Sequence, residues 1–265
     1  MNALSRIHLV TRDASAEQML RAGGIAAEGH LPVVFVGSTF EAAHARDLGL
    51  HPSLVIPTTP GLPEWLIARR LRRVVRTACC VCWDTPATRL AGLARLTTEA
   101  APDYDAVPRP PNGACEAVRA EASGMPLVAL AALEPADCNA HPAVVGAALA
   151  LLADSGELAL VLPYGHPALA RATEYLGTNP LGLRLIAADR HPLAIAAHAD
   201  LVIAMPNERS AGAPERVAHA SKLLLGWGVD VRAHHGTDPT DASLLDGRNA
   251  TGATPIIREL LSSAR

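Results

Sequence analysis

The amino-acid sequence predicts an α/β protein with two Rossmann-like, doubly wound parallel-sheet domains that face each other over a cleft. Three observations support this fold class. Short apolar runs alternate with helical segments four times before residue 101, which is the pattern of a parallel sheet with helices on its faces. A proline-rich stretch over residues 101–115 interrupts the pattern. The alternation then starts again behind that stretch.

In the first half, four apolar runs are predicted to be buried strands: residues 7–10, 31–37, 53–57 and 74–83. The helical segments that follow them are residues 16–28, 40–49, 63–74 and 85–100. Gly29 and Gly49 suit the ends of the first two helices, and Pro63 suits the first turn of the third.

The stretch over residues 101–115 contains four prolines and a glycine, so we expect neither a strand nor a helix there. We place the domain boundary in this stretch. The predicted organisation is an N-terminal domain over residues 1–105, a proline-rich hinge over 106–122 and a C-terminal domain over 123–265.

In the second half, the predicted strands are residues 125–133, 157–165, 183–188, 200–206 and 229–233. The predicted helices are residues 141–156, 166–177, 191–199, 214–228 and 253–264. Ligands of open α/β sheets bind outside the carboxyl ends of the strands. Polar residues that directly follow a predicted strand are therefore the candidates for a binding site.

Composition excludes several classes of function. Among the 265 residues, 23 Lys and Arg stand against 26 Asp and Glu, a balance that argues against nucleic acid as the main partner. No apolar segment is long enough to span a membrane, and the first residues lack the apolar region of a secretory signal. We expect a cytoplasmic protein, and the sequence leaves its oligomeric state open.

The five cysteines are predicted to be small buried thiols. Cys79, Cys80 and Cys82 crowd into one strand, while the other two stand alone. A zinc site usually needs paired cysteines two residues apart and a second pair of ligands, which this sequence does not offer. We expect no metal site and no cofactor.

The best candidate site is the loop that follows the predicted strand 200–206. Asn207 and Glu208 come directly after this buried run, at the expected ligand-binding edge. Glu208 is the candidate for a catalytic carboxylate at this edge. Glu215 is a further candidate, with the alternative that it is only an acid in the first turn of a helix, stabilised by the helix dipole.

Two other strand ends carry candidates. Gly165 and His166 lie where a strand gives way to a helix, so their N–H groups could face a phosphate; the alternative is a plain turn. Asp84 follows the fourth strand and could act as a base toward an acceptor hydroxyl. Alternatively, Asp84 is the N-cap of the next helix, since aspartate is favoured there.

The order of several motifs resembles the two-Rossmann (GT-B type) nucleotide-sugar glycosyltransferases. The second half offers a Pro-Asn-Gly turn at residues 111–113, LALVLPYGH over 158–166, and HPLAIAAHADLVIAMP over 191–206. An acidic loop, a helix and a Gly-x-x-Val strand follow over 207–233. In the first half, AEGHLPVVFVG over 27–37 is similar to a helix–Gly-His–strand step of the acceptor domain. The resemblance implies transfer of a hexose from a UDP-, GDP- or ADP-linked sugar, with a shortened acceptor domain in the first half. It also implies contact of Glu208 with the donor sugar or its ribose.

The sequence also departs from that family's pattern. Glu208 and Glu215 are seven positions apart instead of eight. Glu134 and Asp137 stand where an Arg and a Lys usually neutralise the donor diphosphate, and carboxylates there would repel phosphate. No glycine-rich loop follows the first strand. These departures suggest a degenerate active site, and the alternative function is an inactive α/β binding or assembly protein. A dinucleotide-dependent enzyme is disfavoured because no Gly-x-Gly-x-x-Gly follows any strand.

Overall fold

The chain forms two compact units, Met1–Pro111 and Asn112–Arg265. The computed structural model describes residues 6–75, 79–102, 106–138, 156–166, 182–205 and 212–233, together with residues 148 and 169. Each unit is an α/β structure with a parallel five-stranded sheet. The domain limits predicted from the sequence, including the hinge over 106–122, stay a prediction.

The sheet of the first unit has its first strand in the middle. Its strands are β1 (Arg6–Thr11), β2 (Val33–Gly37), β3 (Leu54–Pro57), β4 (Cys79–Cys82) and β5 (Thr97–Ala100). They lie in the order β3-β2-β1-β4-β5, and every neighbouring pair is parallel. The chain therefore winds to one side of β1 and then crosses to the other, which is the doubly wound arrangement predicted from the sequence.

Four helices connect these strands: α1 (Ala16–Gly29), α2 (Thr39–Asp47), α3 (Glu64–Val74) and α4 (Thr85–Leu93). Ser15 and Ser38 begin α1 and α2 with capping boxes, in which the cap hydroxyl accepts from the third helical N–H. Apolar strand residues such as Leu9 and Val36 pack against Leu71 of α3 and the neighbouring face of α4, and this forms the core on one side of the sheet.

On the other face of β1, the imidazole of His8 is buried and bonded to Trp83. Trp83 Nε1 donates to His8 Nδ1 at 2.8 Å, so Nδ1 must carry a lone pair and the ring is neutral with its proton on Nε2. Burial, followed by the nearby charge of Arg6, lowers the pKa of His8. His8 Nε2 is buried and has no hydrogen-bond partner among the described residues.

Two predictions about the end of the first half are wrong. The helix predicted over 85–100 ends at Leu93, and Thr97–Ala100 form the edge strand β5. Arg95 takes a left-handed conformation between them, with φ of 57°. The stretch 101–115 was expected to contain no helix, yet a helix begins at Gly113. Its prolines precede the helix instead of interrupting it, so they do not disfavour it.

The second unit repeats the winding of the first. Its strands are β6 (Leu127–Leu130), β7 (Leu158–Pro163), β8 (Leu183–Ala188), β9 (Leu201–Ala204) and β10 (Val231–Ala233). They lie in the order β10-β9-β6-β7-β8, again all parallel. The described helices are α5 (Gly113–Ala122), α6 (Pro192–Ala196) and α7 (Ala213–Gly226), with a 3-10 turn at Pro135–Asp137. The helices predicted over 141–156, 166–177 and 253–264 lie outside the described residues, apart from residues 148, 156, 166 and 169.

All five cysteines are buried and unbridged, which confirms their interpretation as buried thiols. Burial raises the pKa of Cys80 to about 12 and that of Cys82 to about 11, so both remain protonated at neutral pH. Over the described ranges, no helix combines the length and apolar composition needed to cross a bilayer.

Candidate functional site

Each sheet has one topological switch point, where the chain reverses its winding direction. In the first unit it lies between β1 and β4, and in the second between β6 and β9. The connections from these neighbouring strands run to opposite sides, which leaves a crevice at their carboxyl ends where ligands of such folds bind. An aspartate stands at each of these two positions.

Asp84 bridges the switch point of the first unit. Its carboxylate accepts from Thr11 N at 2.9 Å and from Thr11 Oγ1 at 3.0 Å, although Thr11 ends β1 and Asp84 follows β4. The same carboxylate accepts from Ala87 N at 2.6 Å and so caps α4. The N-cap interpretation of Asp84 is confirmed, and its role as a base stays a prediction.

A pocket of about 190 Å³ opens at the carboxyl edge of the first sheet. It lies where β1, β2 and β3 end and where α3 and α4 begin. Its polar lining includes Thr11, Arg12, Asp13, Thr58, Glu64 and Arg89. None of these residues was predicted from the sequence, because no motif connects positions that lie so far apart in the chain.

The charges that line this pocket differ in how firmly they are paired. Arg89 Nη2 lies 2.7 Å from Glu64 Oε1, a direct ion pair. Arg12 is held loosely, with its Nε 3.8 Å from Asp13 Oδ1 and its Nη1 4.0 Å from Glu41 Oε1.

Thr58 adds an unsatisfied group to the same pocket. Thr58 Oγ1 is buried and has no hydrogen-bond partner within the described part of the chain. Buried hydroxyls in native structures are nearly always bonded to protein or water. Thr58 Oγ1 has less than 1 Å² of accessible surface, so it lies behind the pocket wall, and the loosely held guanidinium of Arg12 is the group that a polar ligand in the pocket could reach.

The switch point of the second unit is bridged by an ion pair. Asp137 follows β6 and is fully buried, and its Oδ1 accepts from Arg216 Nε of α7 at 2.6 Å. Asp137 Oδ2 also accepts from Glu134 N at 3.0 Å. Asp137 is thus neutralised by a guanidinium, which alters the expectation that its carboxylate would repel a phosphate here.

Arg216 is a functional candidate that no sequence pattern indicated. It is the residue after Glu215, in the first turn of α7, and its side chain is 38% exposed. A Cβ placed on Gly212 would lie 3.1 Å from Arg216 Nη1, so the guanidinium covers the start of the helix. Arg216 and Asp137 are 79 positions apart in the chain, so no local sequence pattern indicates this contact.

The predicted site residues of the second unit are only partly described. Asn207 and Glu208 lie outside the described residues. Glu215 is exposed in the first turn of α7, which confirms its interpretation as a first-turn acid. Gly165 takes a left-handed conformation with φ of 77°, and His166 N donates to Pro163 O at 3.0 Å. That hydrogen bond closes a turn, so the N–H of His166 already has an acceptor. The binding roles predicted for the five residues of this paragraph stay predictions.

A second, very small cavity lies at the carboxyl ends of β6 and β7 in the second sheet. Its volume is about 10 Å³, which is at most the space of a single water molecule. Cys138 lines it together with residues of β6, β7 and α6. Burial, followed by the charge of Asp137, raises the pKa of Cys138 to about 12, so this thiol is no nucleophile.

Comparisons with known proteins identify the fold. No protein-family model and no curated protein sequence matches the chain. Among solved structures, the ADP-heptose LPS heptosyltransferase II of E. coli is similar with a TM-score of 0.53 and 12% identity, covering 98% of this chain and 100% of that one.

Two further similar structures have lower TM-scores. They are the E. coli heptosyltransferase WaaC with ADP-2-deoxy-2-fluoro heptose (TM-score 0.48, 14% identity, 96% and 99% coverage) and a glycosyl transferase family 9 protein from Veillonella parvula DSM 2008 (0.47, 14%, 90% and 83%). The chain has two Rossmann-like α/β units and a GT-B glycosyltransferase-like fold, as the sequence predicted.

Proposed function

We propose that this protein is a GT-B type glycosyltransferase that binds a nucleotide-sugar at the carboxyl edge of its second sheet and transfers the hexose to an acceptor. The observation that carries the proposal is the Asp137–Arg216 pair at the switch point of that sheet. The heptosyltransferase II that shares the fold is, by its name, an enzyme of ADP-heptose, which is a nucleotide-sugar.

The start of α7 suits the diphosphate of such a donor. Its N-cap, Gly212, provides no side chain to bond the first N–H groups of the helix. The N–H groups of Ala213 and Glu215 and the helix dipole favour an anion at this position, while Pro214 contributes no N–H. The guanidinium of Arg216 lies over the same turn and has the planar geometry that pairs well with phosphate oxygens.

The remaining roles follow the predicted site. Glu208 and Asn207 would contact the donor sugar or its ribose, Gly165 would approach the phosphates through its backbone, and Glu215 would bind the ribose. Asp84 is a weaker candidate for the base, because its carboxylate already accepts three hydrogen bonds. Accepting a proton from an acceptor hydroxyl would require that one of these be exchanged.

Thermal-shift titration of the full chain with UDP-, GDP- and ADP-sugars tests the proposal. A ligand that binds only the folded state stabilises it by about 2.7 kcal/mol at a concentration of 100 Kd. We expect one nucleotide class to raise the melting temperature in a saturable way. Absence of a shift with every nucleotide-sugar at millimolar concentration would contradict the proposal.

Variants of Arg216 locate the binding site. Arg216→Lys keeps a positive charge beside Asp137 but loses the fork of the guanidinium, so we expect it to fold and to bind the nucleotide-sugar at least tenfold more weakly. Arg184→Lys, at an exposed position on β8, is the matched control and should bind normally. Equal affinity of R216K and the wild type would remove Arg216 from the site.

Turnover separates transfer from binding alone. Release of the nucleoside diphosphate, followed with a coupled assay, reports cleavage of the bond between the sugar C1 and the phosphate oxygen. We expect release to depend on an added acceptor and to be lost in Glu208→Gln. Nucleotide-sugar binding without release would support the alternative, an inactive binding protein.

A further inference from the structure

We infer that the outward face of α3 binds the surface of an anionic lipid bilayer. The inference does not depend on the proposed function, because α3 belongs to the first unit and the proposed donor site belongs to the second. The face contains Trp65 in the first turn of the helix and Arg69, Arg72 and Arg73 further along it. These four residues form the basic stripe of the first unit.

The helical period places the basic stripe on one side of α3. Trp65, Arg69 and Arg73 follow one another at intervals of four positions, so their side chains lie one turn apart along the same side. Ile67 and Leu71 lie on the opposite side and are buried in the core on the sheet. All four residues of the stripe are exposed. The stripe is therefore accessible along the whole helix.

Neighbouring carboxylates do not balance the charge of the stripe. Within the described residues, no carboxylate oxygen lies within 4.0 Å of the guanidinium of Arg69, Arg72 or Arg73. The acidic residue of α3, Glu64, is already paired with Arg89 at 2.7 Å. The helix therefore carries four arginines against one glutamate, in a chain whose formal net charge is −3.

Helix stability explains only part of this pattern. The negative end of the helix dipole favours Arg72 and Arg73 in the last turn. It does not favour Arg69 in the middle of the helix, because the effect is confined to the last turn. Trp65 and Val74 expose 59% and 54% of their surface, one near each end of α3. A partner that offers both anions and apolar contact would use all of these groups.

An anionic bilayer offers both kinds of contact. Its charged headgroups attract basic side chains, and each arginine near such a surface strengthens adsorption about fivefold. Tryptophan is enriched at the boundary between membrane and water, because its ring is apolar and its N–H is polar. The 11 residues of α3 span about 16 Å, so the stripe presents several charges to a flat surface at once.

Nucleic acid attracts the same arginines but suits the rest of the face less well. A strand bound through its phosphates would contact Arg69 and Arg73 and leave Val74 in water. The whole chain also lacks a basic excess, with 23 Lys and Arg against 26 Asp and Glu. The combination of arginines with exposed apolar side chains therefore favours the bilayer.

Co-sedimentation of the full chain with lipid vesicles tests the inference. Vesicles of equal parts phosphatidylglycerol and phosphatidylcholine are compared with vesicles of phosphatidylcholine alone and with duplex DNA at the same phosphate concentration. We expect at least tenfold tighter binding to the anionic than to the neutral vesicles, and release at about 1 M salt, where the Debye length is about 3 Å. Equal binding to both vesicles, binding to neither, or tighter binding to DNA would overturn the inference.

Variants of the arginines locate the contact. R69Q/R73Q removes two charges from the stripe and should weaken binding to the anionic vesicles at least tenfold. R46Q/R184Q removes two exposed arginines outside α3 and is the matched control, which should bind normally. R69K/R73K keeps both charges and should also bind normally. Unchanged affinity in R69Q/R73Q, or an equal loss in either of the other two variants, would overturn the inference.

Fluorescence of Trp65 reports whether the stripe itself contacts the lipid. We expect the anionic vesicles to shift the tryptophan emission to shorter wavelength, because the exposed ring of Trp65 leaves water. Trp65→Phe should lose this shift while it still co-sediments with the vesicles. Trp227→Phe is the matched control and should keep the shift. The same shift in W65F and the wild type would place the lipid contact elsewhere in the chain and would overturn the inference.

Discussion

The two units wind their sheets in the same order but bridge their switch points with different chemistry. In the first unit, the donors to Asp84 within the described residues are uncharged: the N–H and hydroxyl of Thr11 and the N–H of Ala87. In the second, Asp137 is fully buried against the guanidinium of Arg216. The same topology therefore has a carboxylate bonded to uncharged donors at one switch point and an ion pair at the other.

Helix starts show the same contrast. Three of the four helices described in the first unit begin with a side-chain cap, whereas α5, α6 and α7 of the second unit begin without a side-chain cap hydrogen bond. A side-chain cap uses an N–H donor that would otherwise attract an anion, and no such cap uses the first N–H groups of α5, α6 and α7 among the described residues. The two units therefore share a topology but differ in the side chains that meet their helix starts.

Arg216→Met should produce the largest effect and should act on the second unit. It leaves the buried carboxylate of Asp137 without its counter-ion, and breaking a buried pair in this way costs about 3 kcal/mol. Hydrogen exchange of the β6 amides reports the stability of the second unit, and that of the β1 amides reports the first.

The double variant R216M/D137N is the control for this prediction. Removing both charges should recover most of the lost stability, because no uncompensated charge remains. Arg184→Met, an exposed change in the same unit, should cost less than about 0.5 kcal/mol. If R216M increased hydrogen exchange of the β1 amides more than that of the β6 amides, relative to the wild type, the bridge would not stabilise the second unit.

Asp84→Ala should weaken the first unit by about 2 kcal/mol. About 1 kcal/mol comes from the lost N-cap and the rest from the hydrogen bonds to Thr11. Ser38→Ala removes a cap from α2 and no contact with Thr11. The difference between D84A and S38A in the hydrogen exchange of the β1 amides therefore measures the contribution of the Asp84–Thr11 hydrogen bonds. Equal effects of the two changes would mean that the contact between Asp84 and β1 contributes nothing.

The sequence predicted features that depend on neighbours in the chain. Strand β8 has the predicted bounds, residues 183–188, because an apolar run between turn residues defines it. The N-cap of Asp84 was identified as an alternative because aspartate precedes a Thr-Pro helix start. In both cases a few adjacent residues contain the whole signal.

Features that depend on distant contacts were missed. All four residues of β5 are exposed, so Thr97–Ala100 show no apolar alternation and only the pairing with β4 makes them a strand. The pairing of Asp137 with Arg216 likewise requires the positions of β6 and α7 in the fold. From the sequence, Glu134 and Asp137 were expected to repel a phosphate, because the pairing of Asp137 with Arg216 was not visible.

Mild acid should weaken the first unit through His8, with the smallest effect of the three. Burial holds the folded-state pKa of His8 below the value of about 6.5 that applies to the unfolded chain. The contribution of neutral His8 to the free energy of unfolding is therefore complete above pH 6.5, and it falls as the pH decreases toward the folded-state pKa. In that range the unfolded chain binds a proton at His8 and the folded chain does not. One proton gives a slope of at most about 1.4 kcal/mol per pH unit.

His8→Asn isolates this contribution, because its Oδ1 can accept from Trp83 Nε1 and its amide does not titrate. Between pH 7.5 and 5.5, the exchange rates of the β1 amides, corrected for intrinsic chemistry, should rise in the wild type and rise less in H8N. Protonation would place an N–H on His8 Nδ1, facing the indole N–H of Trp83. The hydrogen bond from Trp83 to His8 would therefore break. The same pH slope in H8N and the wild type would show that another group controls the acid response of the first unit.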